Sequence, residues 1–257
     1  MSRVVCPHPR IESLREQIAT MEGVVCRAVG DRDTFSTRKA ALSSGCPALD
    51  RLLPENGFRK GTLIEWIGAA EDGGGDGAAT LAFRAAVEAC RASGVIVVLD
   101  RSGEFYPPAA VRLGIEPARW VIVHPSSKSD HGWALDQALR CPAVAAVIAW
   151  PDAPLGNRPS ERPSAKKPNG RLDSHTFRRL QLAVEQGGGV GMLIRPHAAR
   201  RDPSWADVRL LVEPLADASP YGRSRRMRVE VLRCRGGRGE QTVEVEIDDE
   251  TPAGPVG

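Results

Sequence analysis

The chain has 257 residues, 42% of them hydrophobic and 26% charged, with a formal net charge of +3. That length suffices for one large α/β domain with short appendages. No apolar run approaches the roughly 20 residues of a membrane span, and the N-terminus lacks the apolar core of a signal peptide. We therefore expect a cytoplasmic protein. Six widely spaced cysteines without a CxxC pair indicate reduced thiols rather than a zinc site or a disulfide framework.

The predicted elements begin with a short amphipathic helix from Ile11 to Met21, whose apolar residues recur at helical spacing. A polar linker follows, so residues 1–41 are predicted to form an N-terminal helix and linker. The core begins at Leu42. A buried strand, Thr62 to Ile67, leads into a glycine-rich loop, Gly68 to Gly77, and then into a helix, Ala78 to Ala92.

Strands and helices then alternate along the chain. The predicted strands are Val95–Leu99, Trp120–Val123, Val144–Trp150 and Val190–Ile194, and the predicted helices are Gly132–Arg140 and Ser174–Gln186. This alternation predicts an α/β fold with a mostly parallel sheet flanked by helices on both faces. Beyond Ala206, the strands Val208–Val212, Arg226–Arg233 and Thr242–Ile247 predict an antiparallel C-terminal extension, and residues 238–257 are predicted to be an acidic tail.

The glycine-rich loop lies where a P-loop would lie, between a strand and a helix. A working P-loop needs GxxxxGK[ST], in which lysine neutralises the phosphates and Ser/Thr holds Mg²⁺. Gly68 and Gly77 remain here, but Ala78 and Ala79 occupy the lysine and hydroxyl positions. The loop also carries three acids, Glu71, Asp72 and Asp76. These residues predict a structural remnant that binds nucleotide phosphate poorly.

Other catalytic signals are also absent from the sequence. The apolar strand that would end in a Walker B aspartate ends in Trp150-Pro151, and Asp152 lies beyond the proline. Asp100 ends another strand and is the alternative acid, with a capping role favoured. No HExxH, GxSxG or metal-spaced His/Cys set occurs. We expect no catalytic residue, no metal and no cofactor.

The order of segments resembles the RecA recombinase core and, more closely, the RecA-like ImuA family of SOS mutagenesis accessory proteins. Five segments carry the resemblance: SSGCPALDRLLPENGFRKGTLIEWIG, VIVVLDRSGEFYPPAAVRLGI, CPAVAAVIAW, FRRLQLAVEQGGGVGMLIRP and LRCRGGRG. It implies a RecA-like P-loop NTPase core over residues 42–237. In this register Ser102 falls on the catalytic glutamate position and Trp150 on the Walker B aspartate, so the resemblance implies a scaffold without ATP chemistry.

Basic charge is concentrated in two regions. Residues 152–202 carry ten basic and five acidic side chains, about +5 in total. In RecA-like folds the two loops of this region hold single-stranded DNA, which makes candidate phosphate contacts of Lys166, Lys167, Arg171, Arg195, Arg200 and Arg201. Phe177 and Trp205 are the nearby aromatic residues. The alternative is a solvated charged surface.

The second region precedes the acidic tail. Its seven arginines are candidates for partner docking: Arg223, Arg225, Arg226, Arg228, Arg233, Arg235 and Arg238. These opposite charges are able either to pair within the chain or to form a docking surface.

The resemblance implies several partners: a catalytically inactive Y-family-like polymerase of the ImuB type, an error-prone C-family polymerase, and RecA. Single-stranded DNA is a further candidate, and the N-terminal helix a candidate for self-association. The leading hypothesis is a non-catalytic accessory protein of damage-induced translesion DNA synthesis. The alternatives are a DNA-dependent ATPase of the RecA/RadA type and an inhibitor of RecA-like filaments that does not bind DNA.

Overall fold

The computed structural model describes residues 41–69, 77–103, 105–151, 172–215 and 224–248. Contacts divide the chain into two units, Met1–Arg38 and Lys39–Gly257. The predicted helix from Ile11 to Met21 belongs to the first unit and lies outside the described residues. All the strands and helices that the structure describes belong to the second unit.

Eight strands are described, numbered in chain order. They are β1 (Thr62–Gly68), β2 (Val95–Leu99), β3 (Trp120–Val123), β4 (Val144–Ala149), β5 (Val190–Arg195), β6 (Val208–Pro214), β7 (Ser224–Cys234) and β8 (Gln241–Asp248). The described α-helices are α1 (Pro47–Asp50), α2 (Ala78–Cys90), α3 (Pro107–Arg112), α4 (Lys128–Arg140) and α5 (Ser174–Gly187). Short 3₁₀ turns cover Pro54–Asn56, Pro117–Arg119 and His197–Arg201.

All eight strands form one sheet in the order β3-β2-β4-β5-β1-β6-β7-β8. The six strands from β3 to β6 pair in parallel, whereas β7 pairs antiparallel with both β6 and β8. The inner strands are buried on both faces, as their mainly apolar sequences require. The predicted parallel sheet with an antiparallel C-terminal extension is confirmed.

Helices cover both faces of the sheet. On one face, α1 and α2 pack over a core that includes Trp66, Met192 and Met227. The alanines of α2 bring this helix close to the sheet, and Ala82, Ala85 and Ala86 are buried there. On the other face, α4 and α5 pack over a second core that includes Leu135 and Leu180.

Local hydrogen bonds determine where several elements begin and end. The side chain of Ser127 accepts a hydrogen bond from the Asp130 N–H at 3.1 Å, so α4 begins at Lys128 rather than at the predicted Gly132. The Asp173 carboxylate accepts one from the Thr176 N–H at 2.7 Å, which starts α5 and lowers the pKa of Asp173. Gly188, at φ +79°, ends that helix.

The predicted strand Thr242–Ile247 is present as β8, which lies within the segment 238–257 that the sequence predicts to be an acidic tail. Residues 241–248 form β8 and pair with β7 from Ser224↔Asp248 to Val231↔Gln241. The acidic segment alternates, so Val245 and Ile247 are buried in the core while Glu244 and Glu246 are exposed. This part of the predicted tail is therefore an edge strand of the sheet.

Within the described ranges, no helix is long and apolar enough to cross a membrane. In the same ranges no group of His, Cys, Asp or Glu side chains converges as metal ligands. The cysteines placed by the structure are free, and burial raises the pKa of the Cys46, Cys90 and Cys234 thiols.

Candidate functional site

The glycine-rich loop joins β1 to α2. The strand ends at Gly68, residues 70–76 lie outside the described residues, and Gly77 caps α2 in the left-handed conformation at φ +86°. The Gly77 carbonyl accepts the first helical hydrogen bond from the Leu81 N–H at 3.0 Å. The helix start that would follow a P-loop is therefore present in this chain.

Apolar atoms occupy the position of the missing lysine. Ala78 is fully buried and belongs to the same apolar cluster as Leu81 and Met227, while Ala79 packs against that cluster. Met227, on β7, lies directly against Gly77, so a Cβ atom at that glycine would overlap the methionine sulfur. A longer side chain at position 78 would have to leave the backbone through these apolar surroundings.

The end of β2 holds Asp100 in a capping role. This aspartate is 3% exposed, and its carboxylate accepts hydrogen bonds from the Gly103 N–H at 2.8 Å and the Phe105 N–H at 3.1 Å. The His124 ring lies 3.6 Å from the same carboxylate. Ser102, at the position implied to be catalytic, is partly buried and carries no carboxylate. Asp100 thus closes the loop after β2.

Trp150, which the resemblance places on the Walker B aspartate position, packs toward an aromatic side chain. Trp150 follows β4, and its ring centroid lies 6.3 Å from that of Phe83 on α2. Phe83 in turn stacks on Phe105 at 5.3 Å. Such packing offers no oxygen ligand for Mg²⁺. The positions that the resemblance assigns to ATP chemistry hold two alanines, a serine and a tryptophan.

Arg195 was predicted to contact DNA phosphate, and this prediction is wrong. Its side chain is fully buried at the end of β5, where Nη1 donates to Glu65 at 2.8 Å and Nη2 donates to Asp202 at 3.0 Å. Its guanidinium also lies over the Phe177 ring at 5.6 Å. Arg209 contributes a second cation to Glu65 at 2.5 Å. The presence of Glu65 in the sequence was a signal for this buried ion pair, because an acid inside an apolar strand requires a buried cation.

Two of the DNA candidates remain on the surface. Arg200 and Arg201 are exposed on the 3₁₀ turn after β5, and Arg200 lies 3.6 Å from Glu230 on β7. Of the two nearby aromatic residues, Phe177 is buried, whereas Trp205 is 42% exposed and has the Arg178 guanidinium 5.3 Å from its ring. The remaining candidates, Lys166, Lys167 and Arg171, lie outside the described residues.

The arginine-rich region is partly neutralised by contacts within the chain. Arg226 and Arg228 lie 2.7 Å and 3.7 Å from Glu244 on β8, which is intramolecular pairing of the two predicted charge blocks. Arg235 contacts Asp207 at 2.9 Å. Arg233 donates a hydrogen bond to the Ser204 carbonyl at 2.9 Å.

The other arginines of this region differ in their placement. Arg225 and Arg238 are exposed, and Arg223 lies outside the described residues. Arg238 lies in the connection between β7 and β8. Exposed arginines are thus found at both ends of β7.

One surface feature was not predicted from the sequence. An apolar groove lies beside β3, between that strand and α3. The sequence features that could have indicated the groove are the prolines Pro107, Pro108 and Pro117, which lie next to a short strand of exclusively apolar residues.

Comparison with known proteins gives two relationships. Protein ImuA of Caulobacter vibrioides is 30% identical over 221 residues, which span 79% of this chain and 82% of that protein. Protein RecA of Chlorobaculum parvum is 28% identical over 190 residues, 72% of this chain. The chain spans 52% of that RecA, about half its length. No family model matches.

A solved structure shares the fold. The crystal structure of the RadB recombinase superposes with a TM-score of 0.56 at 17% identity, covering 81% of this chain and 97% of that one. A likeness at this identity supports the RecA-like fold and carries no further argument about activity.

Proposed function

The chain belongs to the ImuA family, and from that premise we propose that it is a non-catalytic, RecA-like accessory protein of damage-induced translesion DNA synthesis, acting in the cytoplasm as part of the SOS response. In this proposal it binds polymerase partners and single-stranded DNA, or RecA on such DNA. The observation that carries the non-catalytic part is the buried, apolar environment of Ala78 at the start of α2.

Three features together support the absence of ATP hydrolysis. Ala78 replaces the lysine and is buried against Leu81 and Met227. Asp100 uses both carboxylate oxygens to cap the loop after β2. Trp150 replaces the acid after β4 and packs toward Phe83. Phosphoryl transfer depends on positioned cations and a metal ligand, and these positions supply neither.

The residues that we propose to contact DNA phosphates are Arg200 and Arg201, together with Lys166, Lys167 and Arg171. The two exposed arginines lie on one turn, four and five positions before the exposed Trp205 in the sequence. The Arg178 guanidinium lies over the Trp205 ring, and aromatic faces together with cations suit sequence-tolerant binding of single strands. The buried Arg195 holds this turn in place through its hydrogen bond to Asp202, and we do not include it among the residues that contact DNA.

An oligonucleotide titration tests this part. We expect a fluorescein-labelled oligothymidylate to bind with an affinity that falls steeply as salt rises, because counterions are released. The double variant R200E/R201E should weaken binding by about tenfold or more, whereas the control K60E, at an exposed lysine before β1, should not. Equal binding by all three proteins would contradict DNA contact at this turn.

The surface that we propose to bind the polymerase partner is the arginine-rich region around β7. Among its exposed members, Arg225 lies near the start of the strand and Arg238 lies beyond its end. Removing the whole region would also remove β7 and with it the pairing partner of β8, so point variants are the sharper test.

We expect the purified chain to retain a Y-family-like polymerase partner in a pull-down. The variant R225E/R238E should weaken retention by about tenfold through charge reversal, and K60E should leave it unchanged. No retention by the wild-type protein would contradict the proposed role. If R225E/R238E and K60E retain the polymerase partner equally well, the arginine-rich region is not part of the interface.

A further inference from the structure

The 3₁₀ turn His197–Arg201 is held to the sheet at two points. Nη2 of Arg195, at the end of β5, donates a hydrogen bond to the Asp202 carboxylate at 3.0 Å, directly after the turn. Nη2 of Arg209, on β6, donates to the Ala199 carbonyl at 2.8 Å, inside the turn. The two exposed arginines of the turn therefore lie between two anchored positions in the chain.

A single acid on β1 orients both anchors. Oε1 of Glu65 accepts from Nη1 of Arg195 at 2.8 Å, and Oε2 accepts from Nε of Arg209 at 2.5 Å. The Glu65 and Arg195 side chains are fully buried, and that of Arg209 is 12% exposed. A guanidinium is a rigid planar fork, so fixing one of its nitrogens on Glu65 also fixes the direction of the others. Both forks thus reach from the sheet to the turn.

This arrangement fixes the turn before any ligand arrives. A mobile segment must be ordered when it binds, and that ordering costs affinity, whereas a segment already held in its bound conformation avoids the cost. The side chains that hold the turn lie on β1, β5 and β6, which are buried strands of the sheet. They depend on packing in the core and not on a bound nucleotide.

Two acids lie beside the turn and differ in what they contact. The Asp202 carboxylate binds the buried Arg195, whereas the Glu230 carboxylate lies 3.6 Å from the exposed guanidinium of Arg200. Either acid repels a DNA phosphate by its charge. Glu230 also competes with phosphate for Arg200, while Asp202 keeps the turn in place. Removing one acid or the other should therefore change DNA affinity in opposite directions.

We propose that Asp202 and Arg209 are positioning residues for the DNA contact. Together with Arg195 and Glu65 they hold the turn in the conformation that binds the phosphates of a single strand, so that binding requires no nucleotide. The inference rests on the proposed DNA-binding function. It adds how the contact surface is formed and which residues determine its affinity without touching DNA.

The affinity for a fluorescein-labelled oligothymidylate tests the sign of each effect. We expect D202A to bind about fivefold or more weakly, although it carries one negative charge less. D202N keeps an oxygen that accepts from Arg195 and should bind within about twofold of the wild type. The matched control E230A also loses one acid beside the turn and should bind more tightly than the wild type. Adding ATP and Mg²⁺ should leave wild-type affinity unchanged.

The variant R209K tests the second anchor. It keeps a cation beside Glu65 and the same net charge, but it loses the fork that reaches both Glu65 and Ala199, so it should weaken oligothymidylate binding like D202A. Circular dichroism confirms that each variant is folded. R209K gives the same comparison with the wild type if D202A does not fold.

Hydrogen exchange of the turn, measured without DNA or nucleotide, detects positioning separately from DNA binding. The Asp202 N–H donates to the Ala199 carbonyl at 3.0 Å. We expect peptides that cover this turn to exchange about tenfold faster in D202A than in the wild type, because the local structure opens more often. E230A should exchange like the wild type.

Several results would overturn the inference. These are oligothymidylate binding by D202A as tight as that of the wild type, equal effects of D202A and E230A, wild-type binding only in the presence of ATP, and weaker binding by D202A with unchanged exchange of the turn. A wild-type protein that does not bind the oligonucleotide, but whose turn is protected by Asp202, would contradict the proposed DNA-binding function alone.

Discussion

Glu65, Arg195 and Asp202 form a chain of buried charges that joins the middle of β1 to the 3₁₀ turn after β5. Each ion loses hydration on burial, and its partners and hydrogen bonds offset that cost only while the set is complete. Arg209 adds a cation to Glu65 and donates a hydrogen bond to the Ala199 carbonyl at 2.8 Å. The turn that presents Arg200 and Arg201 is therefore fixed to the sheet from beneath.

Replacing Arg195 tests its structural role. R195A would leave Glu65 buried without its closest cation on β5, and we expect a loss of about 3–5 kcal/mol in the free energy of unfolding. R201A removes an exposed arginine of the same turn and should change stability by less than about 0.5 kcal/mol. Urea unfolding followed by circular dichroism measures both. A stable R195A protein that binds DNA as weakly as R200E/R201E would restore Arg195 to the DNA contact.

Substitutions at Gly77 test the packing of Met227 against the start of α2. G103A places an alanine at φ +76° in open space and should cost about 1 kcal/mol from backbone strain. G77A, at φ +86°, adds an overlap with the Met227 sulfur and should cost about 3 kcal/mol in total. In an M227A background the cost of G77A should fall toward that of G103A. Equal costs for G77A in both backgrounds would show that the methionine does not fill this position.

His131 gives stability a pH dependence. It is 4% exposed on α4, both ring nitrogens lack a hydrogen-bond partner among the described residues, and burial together with the Arg101 cation lowers its pKa from 6.5 to about 4. The unfolded chain therefore takes up a proton first as pH falls. The neutral ring's contribution is complete above about pH 6.5 and is lost, by about 3 kcal/mol, between about pH 6.5 and 4.

The variant H131F isolates this contribution, since the carboxylates titrate alike in both proteins. We expect the difference in unfolding free energy between H131F and the wild type to change by about 3 kcal/mol from pH 7 to pH 4 in favour of H131F. Urea unfolding at intermediate pH values measures it. A difference that stays constant with pH would mean that His131 is not buried in its neutral form.

At the scale of elements, β8 shows how one segment serves the core and the surface together. Its period-2 alternation buries Val245 and Ile247 under α1 and leaves Glu244 beside Arg226 and Arg228. A block of acids therefore becomes a strand because its alternate residues are apolar. The surface arginines of β7 gain little stability from these exposed pairs, so the strand is held mainly by its buried face and its backbone hydrogen bonds.

Two truncations separate β8 from the segment after it. A stop after Gly239 removes the strand and its two buried apolar side chains, Val245 and Ile247, a loss of roughly 3–6 kcal/mol of burial, which reaches the lower range of the total stability of a typical domain. We expect this protein to be unfolded or insoluble. A stop after Asp248 keeps the whole strand and should give a melting temperature close to that of the full chain. Cooperative melting of the protein that ends at Gly239 would show that β8 is dispensable.

The sequence predicted the strands best, because continuous apolar runs such as Val95–Leu99 have few alternatives to burial in a parallel sheet. It predicted less well what depends on distant partners. The start of α4 required the Ser127 cap, and the burial of Arg195 required Glu65, which is 130 positions away in the chain. The groove beside β3 required knowledge of which strand forms the edge. Charge counts locate basic residues but do not show which of them reach the surface.

At the scale of the whole molecule, we infer a RecA-like scaffold whose nucleotide positions have become part of the core. Ala78 and Met227 fill the start of α2, Asp100 caps a loop, and Trp150 packs among aromatic rings. The sheet and its flanking helices are preserved, because they depend on apolar packing that does not involve ATP. The surfaces that remain available for function are the turn with Arg200 and Arg201 and the exposed arginines of β7.

Hydrolysis of ATP in the presence of single-stranded DNA tests the central claim most directly. With purified protein, Mg²⁺ and saturating ATP, and with RecA as the positive control, we expect phosphate release no faster than in a protein-free blank, and no change in D100N. Circular dichroism of D100N would confirm that the variant is folded. Robust, DNA-stimulated turnover in the wild type that D100N abolishes would contradict the non-catalytic role and establish a DNA-dependent ATPase.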